Sequence, residues 1–149
     1  MAFVRDLALV PASVRDDSTF AEAARALASS RLGAIAVLDA SGAVAGVFTS
    51  RDALRGLFPG YLDELRHTAF VEDDPERLAA RAQVVGAEPV RQHLTEPPPP
   101  LAGADSLTHA AERFLHSGLD ALPVFEAGRF AGMLEQRTLA DVADDLLDP

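Results

Sequence analysis

The chain repeats itself once, and that duplication narrows its possible folds more than any other feature. Val4-Arg5 recurs as Val90-Arg91, and Asp17-Ser18 as Asp105-Ser106. Arg25 and Leu27 recur as Arg113 and Leu115. Ala34-Ile35-Ala36-Val37-Leu38 recurs as Ala121-Leu122-Pro123-Val124-Phe125, Ala45-Gly46 as Ala131-Gly132, and Arg51 as Arg137. The offset drifts only from 88 to 86, as small loop changes produce. Two copies are too few for a solenoid, in which stacked neighbours build a continuous core. The natural reading is a pseudo-symmetric pair.

Each copy carries the same element signals. Phe20, Ala23, Ala24 and Leu27 fall at i, i+3, i+4 and i+7, one face of a helix that Asp17 or Ser18 can cap. Two short apolar runs follow, Ala34 to Leu38 and Ala43 to Phe48, split by Asp39-Ala40-Ser41-Gly42. Such a pair reads as a hairpin. A helix beginning near Ser50 puts Ala53, Leu54 and Leu57 inward. In the second copy the helical stripe is Leu107, Ala110, Ala111, Phe114 and Leu115. Runs Ala121 to Phe125 and Arg129 to Leu134 flank a turn at Glu126-Ala127-Gly128. A last helix buries Leu139, Val142, Ala143 and Leu146. The expected fold class is α+β: two helix–strand–strand–helix repeats. Neither small sheet buries both faces alone, so the repeats pack on each other as one intramolecular pair.

The expected division is a first repeat over 1–59, a helical insert or linker over 60–88 and a second repeat over 89–149. Within the insert, Tyr61 to His67 suggests an amphipathic turn or two. Pro75 suits the first position of a helix running to about Val85, and Gly86 stops it. The insert carries no obvious chemistry and is expected to cover an edge or build a dimer contact. Pro97 to Pro100 forms a stiff extended segment without backbone donors. It reads better as the approach to the second repeat, matching Pro11, than as a ligand for a proline-binding domain.

Composition excludes several classes of function. Of the 149 residues 48% are hydrophobic, enough for a core. The 13 basic and 23 acidic side chains leave a net charge of −10, which repels nucleic-acid backbones and anionic lipid. Cysteine is absent, so disulfides and thiolate metal sites are excluded. No apolar run approaches a membrane span, and the start lacks signal-peptide character, so a cytoplasmic location is expected. His109 and His116 lie seven apart on one helix and read as surface residues, while His67 and His93 look isolated. No nucleophile–base set, phosphate loop or carboxylate pair of glycosidase type can be placed, so no enzymatic activity is expected.

The sharpest motif is Gly46-Val47-Phe48-Thr49-Ser50-Arg51-Asp52, where a strand gives way to a helix. A helix N-terminus offers unpaired N–H groups to an anion. The Thr49 hydroxyl can add a hydrogen bond to a phosphate or ribose oxygen, and Arg51 is a candidate phosphate partner. The Asp52 carboxylate can accept two hydrogen bonds from a ribose cis-diol. Equally, Thr49 or Ser50 can serve only as a helix cap, and Asp52 only as a favourable first-turn charge.

The whole pattern resembles a tandem CBS-domain protein, or Bateman module. That family carries a Gly-hydrophobic-x-Thr/Ser-x-x-Asp signature after its second hairpin strand. Residues 46–52 fit it at every defined position, and the resemblance covers all but about 60–88. It implies a ligand cleft between the repeats, with Val47, Thr49, Arg51 and Asp52 on one wall and Pro99, Leu119, Asp120 and Ala121 on the other. Val47, Pro99 and Leu119 would hold an adenine and Asp52 the ribose. No cofactor is required, and the implied ligand is of adenosine type: AMP, ADP, ATP or S-adenosylmethionine. Asp120 is awkward beside a phosphate and favours a less charged adenosyl compound. In the second copy Glu135 and Thr138 replace the hydroxyl and carboxylate, with Ala12, Leu32, Gly33 and Ala34 opposite. That site is expected to be empty or to bind something else. The resemblance further implies a homodimer, here through Ala53 to Phe58 and Leu139 to Leu147, and an unidentified regulated protein. The expected function is regulatory ligand sensing. The alternative is a structural or dimerisation module without a small ligand.

Overall fold

The computed structural model describes residues 2–58 and 75–148. The expected turns at Tyr61 to His67 lie outside them. The first repeat consists of β1 (Ser13–Arg15), α1 (Phe20–Ser30), β2 (Ala34–Leu38), β3 (Val44–Thr49) and α2 (Ser50–Leu57). After it comes α3 (Pro75–Gly86). The second repeat is β4 (Leu101–Ala102), α4 (Leu107–Ser117), β5 (Ala121–Glu126), β6 (Arg129–Glu135) and α5 (Gln136–Leu147). Single turns of 3-10 helix at Val4–Asp6 and Val90–His93 precede the two copies.

The duplicated α+β pair is as the sequence suggests, with one addition. Each sheet has three strands, in the order β1-β2-β3 and β4-β5-β6. The extra strands β1 and β4 pair parallel to β2 and β5, while the hairpins are antiparallel. They are only three and two residues long, too short to show a period of two in sequence.

Alternation along β2 explains how the repeats join. Ile35 and Val37 face Phe20, Ala23 and Leu27 of α1 in the first core. Ala34 and Ala36 face the other way, onto Ala121 and Met133 of the second repeat. Successive side chains of a strand point to opposite faces, so β2 serves both cores at once. The small alanines at this contact let the two sheets approach closely. In β5, Leu122 and Val124 turn to Ala110 and Phe114 of α4.

The lead-in segments cross over. Val4 packs in the second repeat's core and Val90 in the first repeat's. Val10 exchanges hydrogen bonds with Met133 of β6 at 2.9 and 2.7 Å, and Thr95 with Val47 of β3 at 2.9 and 3.0 Å. Each repeat thus lends its approach strand to its twin. Gly46 and Gly132 make that approach possible. A Cβ at Gly46 would meet Leu94 Cδ1 at 2.9 Å, and one at Gly132 would meet Leu9 Cβ at 2.9 Å.

Several helix faces differ from the periodicity. Thr19, not Asp17 or Ser18, caps α1, accepting from the Glu22 N–H. In α2 the buried residues are Asp52 and Gly56, Ala53 and Leu57 are partly covered, and Leu54 is exposed. Leu115 on α4 is exposed as well. No residue of α5 is fully buried: Leu139 packs partly on the core, while Leu146 and Leu147 are exposed. These helices are packed over only part of their circumference, so part of each apolar stripe meets solvent. The insert helix α3 packs on α1 and α2, placing Val85 in the first core.

Candidate functional site

The site begins where β3 ends. Thr49 is the N-cap of α2 and forms a capping box with Asp52. The Asp52 N–H donates to Thr49 Oγ1 at 3.1 Å. In return Asp52 Oδ2 accepts from the Thr49 N–H at 2.9 Å and from its hydroxyl at 2.8 Å. A third donor arrives from the crossing segment: Thr95 Oγ1 lies 3.0 Å from Asp52 Oδ1 and 2.9 Å from Oδ2. Asp52 is only 6% exposed, so this ring of donors compensates the burial of its charge.

Beside this cluster lies a cleft of about 310 Å³ between the repeats. Thr49, Ser50, Arg51 and Arg55 line it from the start of α2, together with Gly33 and Thr95. Ser117, Gly118, Leu119 and Asp120 line it from the turn between α4 and β5. Gly33 and Asp120 are pseudo-symmetric partners: the Ser50 N–H donates to Gly33 O at 3.0 Å, and the Gln136 N–H to Asp120 O at 2.8 Å. A Cβ on Gly33 would fall 2.6 Å from Asp120 Oδ2, so the missing side chain makes room for that carboxylate. The cleft therefore holds cationic Arg51 and Arg55 together with anionic Asp120.

Of the eight residues singled out in the sequence, Thr49, Arg51, Leu119 and Asp120 line this cleft. Val47 and Ala121 are fully buried beneath it, Val47 bridged to Thr95. Asp52 sits behind Thr49 and lines a neighbouring cavity between α2 and α3. Pro99 is not brought to the cleft. The four prolines run along a separate groove with Ala43, Val44 and Phe125. Thr95 and Arg55 were not legible as site residues. His93, isolated by sequence, pairs with Glu88 Oε2 at 2.9 Å and meets the Phe20 ring edge-on. No group of three or more possible metal ligands occurs among the described residues.

The second copy lacks the cluster. Glu135 caps α5 without a side-chain bond. Thr138 stands where Asp52 stands in the first copy. Val10, bridged to Met133 as Thr95 is to Val47, stands where Thr95 stands. Carboxylate and partnering hydroxyl are lost together.

The family model for the CBS domain matches residues 4–58 and again 90–145. The chain belongs to the CBS-domain family. Solved structures give the same fold for the pair. A CBS domain-containing protein of unknown function from Kribbella flavida is 23% identical over 97% of this chain and 99% of its own, with a TM-score of 0.77. A second such protein, from Bacillus anthracis, is 20% identical over 97% of this chain and 94% of its own, with a TM-score of 0.73. The CBS-pair protein CBSX2 of Arabidopsis thaliana, crystallised in complex with AMP, is 20% identical over 99% of both chains, with a TM-score of 0.66. Among curated protein sequences none matches. No helix among the described residues is long and apolar enough to cross a membrane.

Proposed function

We propose that this CBS pair is a non-catalytic sensory module that takes one adenosine-type ligand per chain in the cleft between its repeats. The observation that carries the reading is the meeting of Thr49, Arg51 and Arg55 from one repeat with Leu119 and Asp120 from the other in a single opening. The N–H groups of Ser50 and Asp52 at the start of α2 are spent on Gly33 O and Thr49 Oγ1, so it is the two arginines that suit a phosphate or carboxylate. Leu119 supplies an apolar surface for a base. Asp52 reaches a ribose by exchanging the Thr95 hydroxyl for the diol, which would loosen the segment that crosses between repeats. That exchange gives ligand binding a route to the packing of the pair. The AMP complex of CBSX2 supports the ligand class. Asp120 favours an adenosyl compound with a positive centre, such as S-adenosylmethionine, over ATP.

Thermal shift with AMP, ADP, ATP, S-adenosylmethionine and NAD tests the reading. A rise in Tm with an adenosyl compound, lost in Asp52→Ala, is the expected outcome. No rise with any of them counts against it.

A purely structural role in assembly is the second reading. It is favoured by Leu54, Phe58, Leu146 and Leu147, all exposed near the ends of the pseudo-equivalent helices α2 and α5. A homodimer joined through these faces would cover them. Light scattering that gives a 15.8 kDa monomer in dilute solution excludes that assembly.

A further inference from the structure

We propose that the cavity between α2, α3 and the turn Val90–His93 is a second small-molecule site, adjoining the inter-repeat cleft and sharing Arg55 with it, that takes a small organic carboxylate with a compact apolar body. The cavity measures about 600 Å³, within the usual range of roughly 300–1,000 Å³ for such sites. One wall is α3, which lies between the two stretches that match the CBS domain.

The unspent polar groups on the wall are the guanidiniums of Arg55 and Arg81 and the neutral carboxamide of Gln92, so the unspent charge is cationic. Arg81 uses its Nε–H on Gly56 O at 3.1 Å. This satisfies a carbonyl in the last turn of α2 and holds the guanidinium in place, with its terminal N–H groups left for a ligand. Arg55 makes no hydrogen bond or ion pair among the described residues. The carboxylates on the wall are already engaged, Asp52 by Thr49 and Thr95 and Glu88 by His93. They have no need of a cation, yet they repel a dianion. A single carboxylate matches two guanidiniums under that constraint, whereas a phosphate monoester does not. Beside them Val84 is 67% exposed and Leu94 also lines the cavity, so an apolar body would remove hydrocarbon from water on both sides.

Arg55 lines both openings, but Arg81 and Val84 do not line the inter-repeat cleft, so they tell this site from the adenosine site. Amide-detected NMR of the full chain, titrated with 4-methylpentanoate and separately with neutral 4-methylpentanamide, tests it. The carboxylate should give saturable shifts in 50–57, 75–86 and 88–94, and the amide none. Arg81→Met should weaken the response at least about tenfold, as loss of a charge-assisted hydrogen bond does. If Arg81→Met fails to fold, Val84→Trp fills the cavity from an exposed position and should abolish the shifts. No saturable shift with the carboxylate, an equal response to the amide, shifts centred on 117–120, or titration unaltered by these substitutions would overturn the proposal.

Discussion

The Thr95 hydroxyl reaches both carboxylate oxygens of Asp52, at 3.0 and 2.9 Å, across 43 residues of chain. It fastens the lead-in of the second repeat to the signature of the first. The pseudo-equivalent positions, Val10 and Thr138, hold no such pair. The first half of the molecule therefore carries a polar clasp that the second half has replaced with apolar packing.

Thr95→Val tests what the clasp does. Valine is β-branched like threonine and keeps the bridge to Val47. Asp52 then loses one donor but keeps those of Thr49. Stability should fall by about 2 kcal/mol, the net worth of one hydrogen bond to a charged group. Because the hydroxyl occupies oxygens that a ribose would use, the variant should retain its response to an adenosyl ligand, whereas Asp52→Ala loses it. Chemical denaturation gives the first quantity and calorimetry the second. Loss of ligand binding in Thr95→Val would show that the threonine itself contacts the ligand.

Asp120 should set the charge preference of the cleft. It shares that opening with Arg51 and Arg55 and is exposed. Asp120→Asn removes an anion beside any bound phosphate and keeps the size of the side chain. At partly screened separations the change is worth roughly 1 kcal/mol, about fivefold tighter AMP binding. Calorimetry at low and high salt measures it, and the gain should shrink as salt rises. Equal AMP affinity in the two proteins would place the phosphate elsewhere.

Much of the fold was legible because the repeat states it twice. The signals for α1, β2 and the β2–β3 hairpin are strong in each copy, and β2 begins and ends where its apolar run does. The outer helices were less legible. A stripe such as Leu139, Val142, Ala143 and Leu146 shows which side of α5 is apolar but not how much protein stands against it. The structure covers Leu139 in part and leaves Leu146 in solvent. The site was half legible. Thr49 and Asp52 belong to a contiguous motif, so their capping geometry follows from local spacing. Thr95 joins them only because the lead-in segments cross, and no local periodicity carries that information. Pro99 was expected at the cleft for the same reason: after Thr95 the prolines run toward the start of β3, in a groove with Ala43, Val44 and Phe125.

The β2–β3 turn has a pH signature. A hydrogen bond from the Ser41 hydroxyl holds the Asp39 carboxyl below its ordinary value, partly opposed by desolvation and aided by the N–H groups of Ser41, Gly42 and Ala43. A carboxyl depressed in the folded state contributes stability above its unfolded pKa and loses it as pH falls through the folded one. An NMR titration of the Asp39 carboxyl should therefore give a midpoint below that of a free aspartate. Ser41→Ala should raise that midpoint, with no effect on ligand binding in the distant cleft. A midpoint unmoved by Ser41→Ala would assign the depression to another group.

The two crossing glycines should not be equally replaceable. At Gly46 a Cβ would meet Leu94 Cδ1 at 2.9 Å, Leu94 Cβ at 3.0 Å and Thr95 O at 3.1 Å. The first contact is the end of a flexible side chain, which can turn away; the other two crowd it as at Gly132, but the backbone φ is one that alanine adopts. At Gly132 the nearest atoms are Leu9 Cβ at 2.9 Å and Val10 O at 3.1 Å, both close to the main chain, and φ is +150°. An alanine there meets crowding and backbone strain together. Gly46→Ala should cost about 1 kcal/mol and Gly132→Ala about 3 kcal/mol, the span expected of overpacking with and without strain. Urea denaturation at unchanged m-value separates the two. Equal losses, or a larger loss at Gly46, would mean that the crossing at β3 is the more rigid of the pair, and that the clasp between Thr95 and Asp52 stiffens it enough to outweigh the strained backbone at β6.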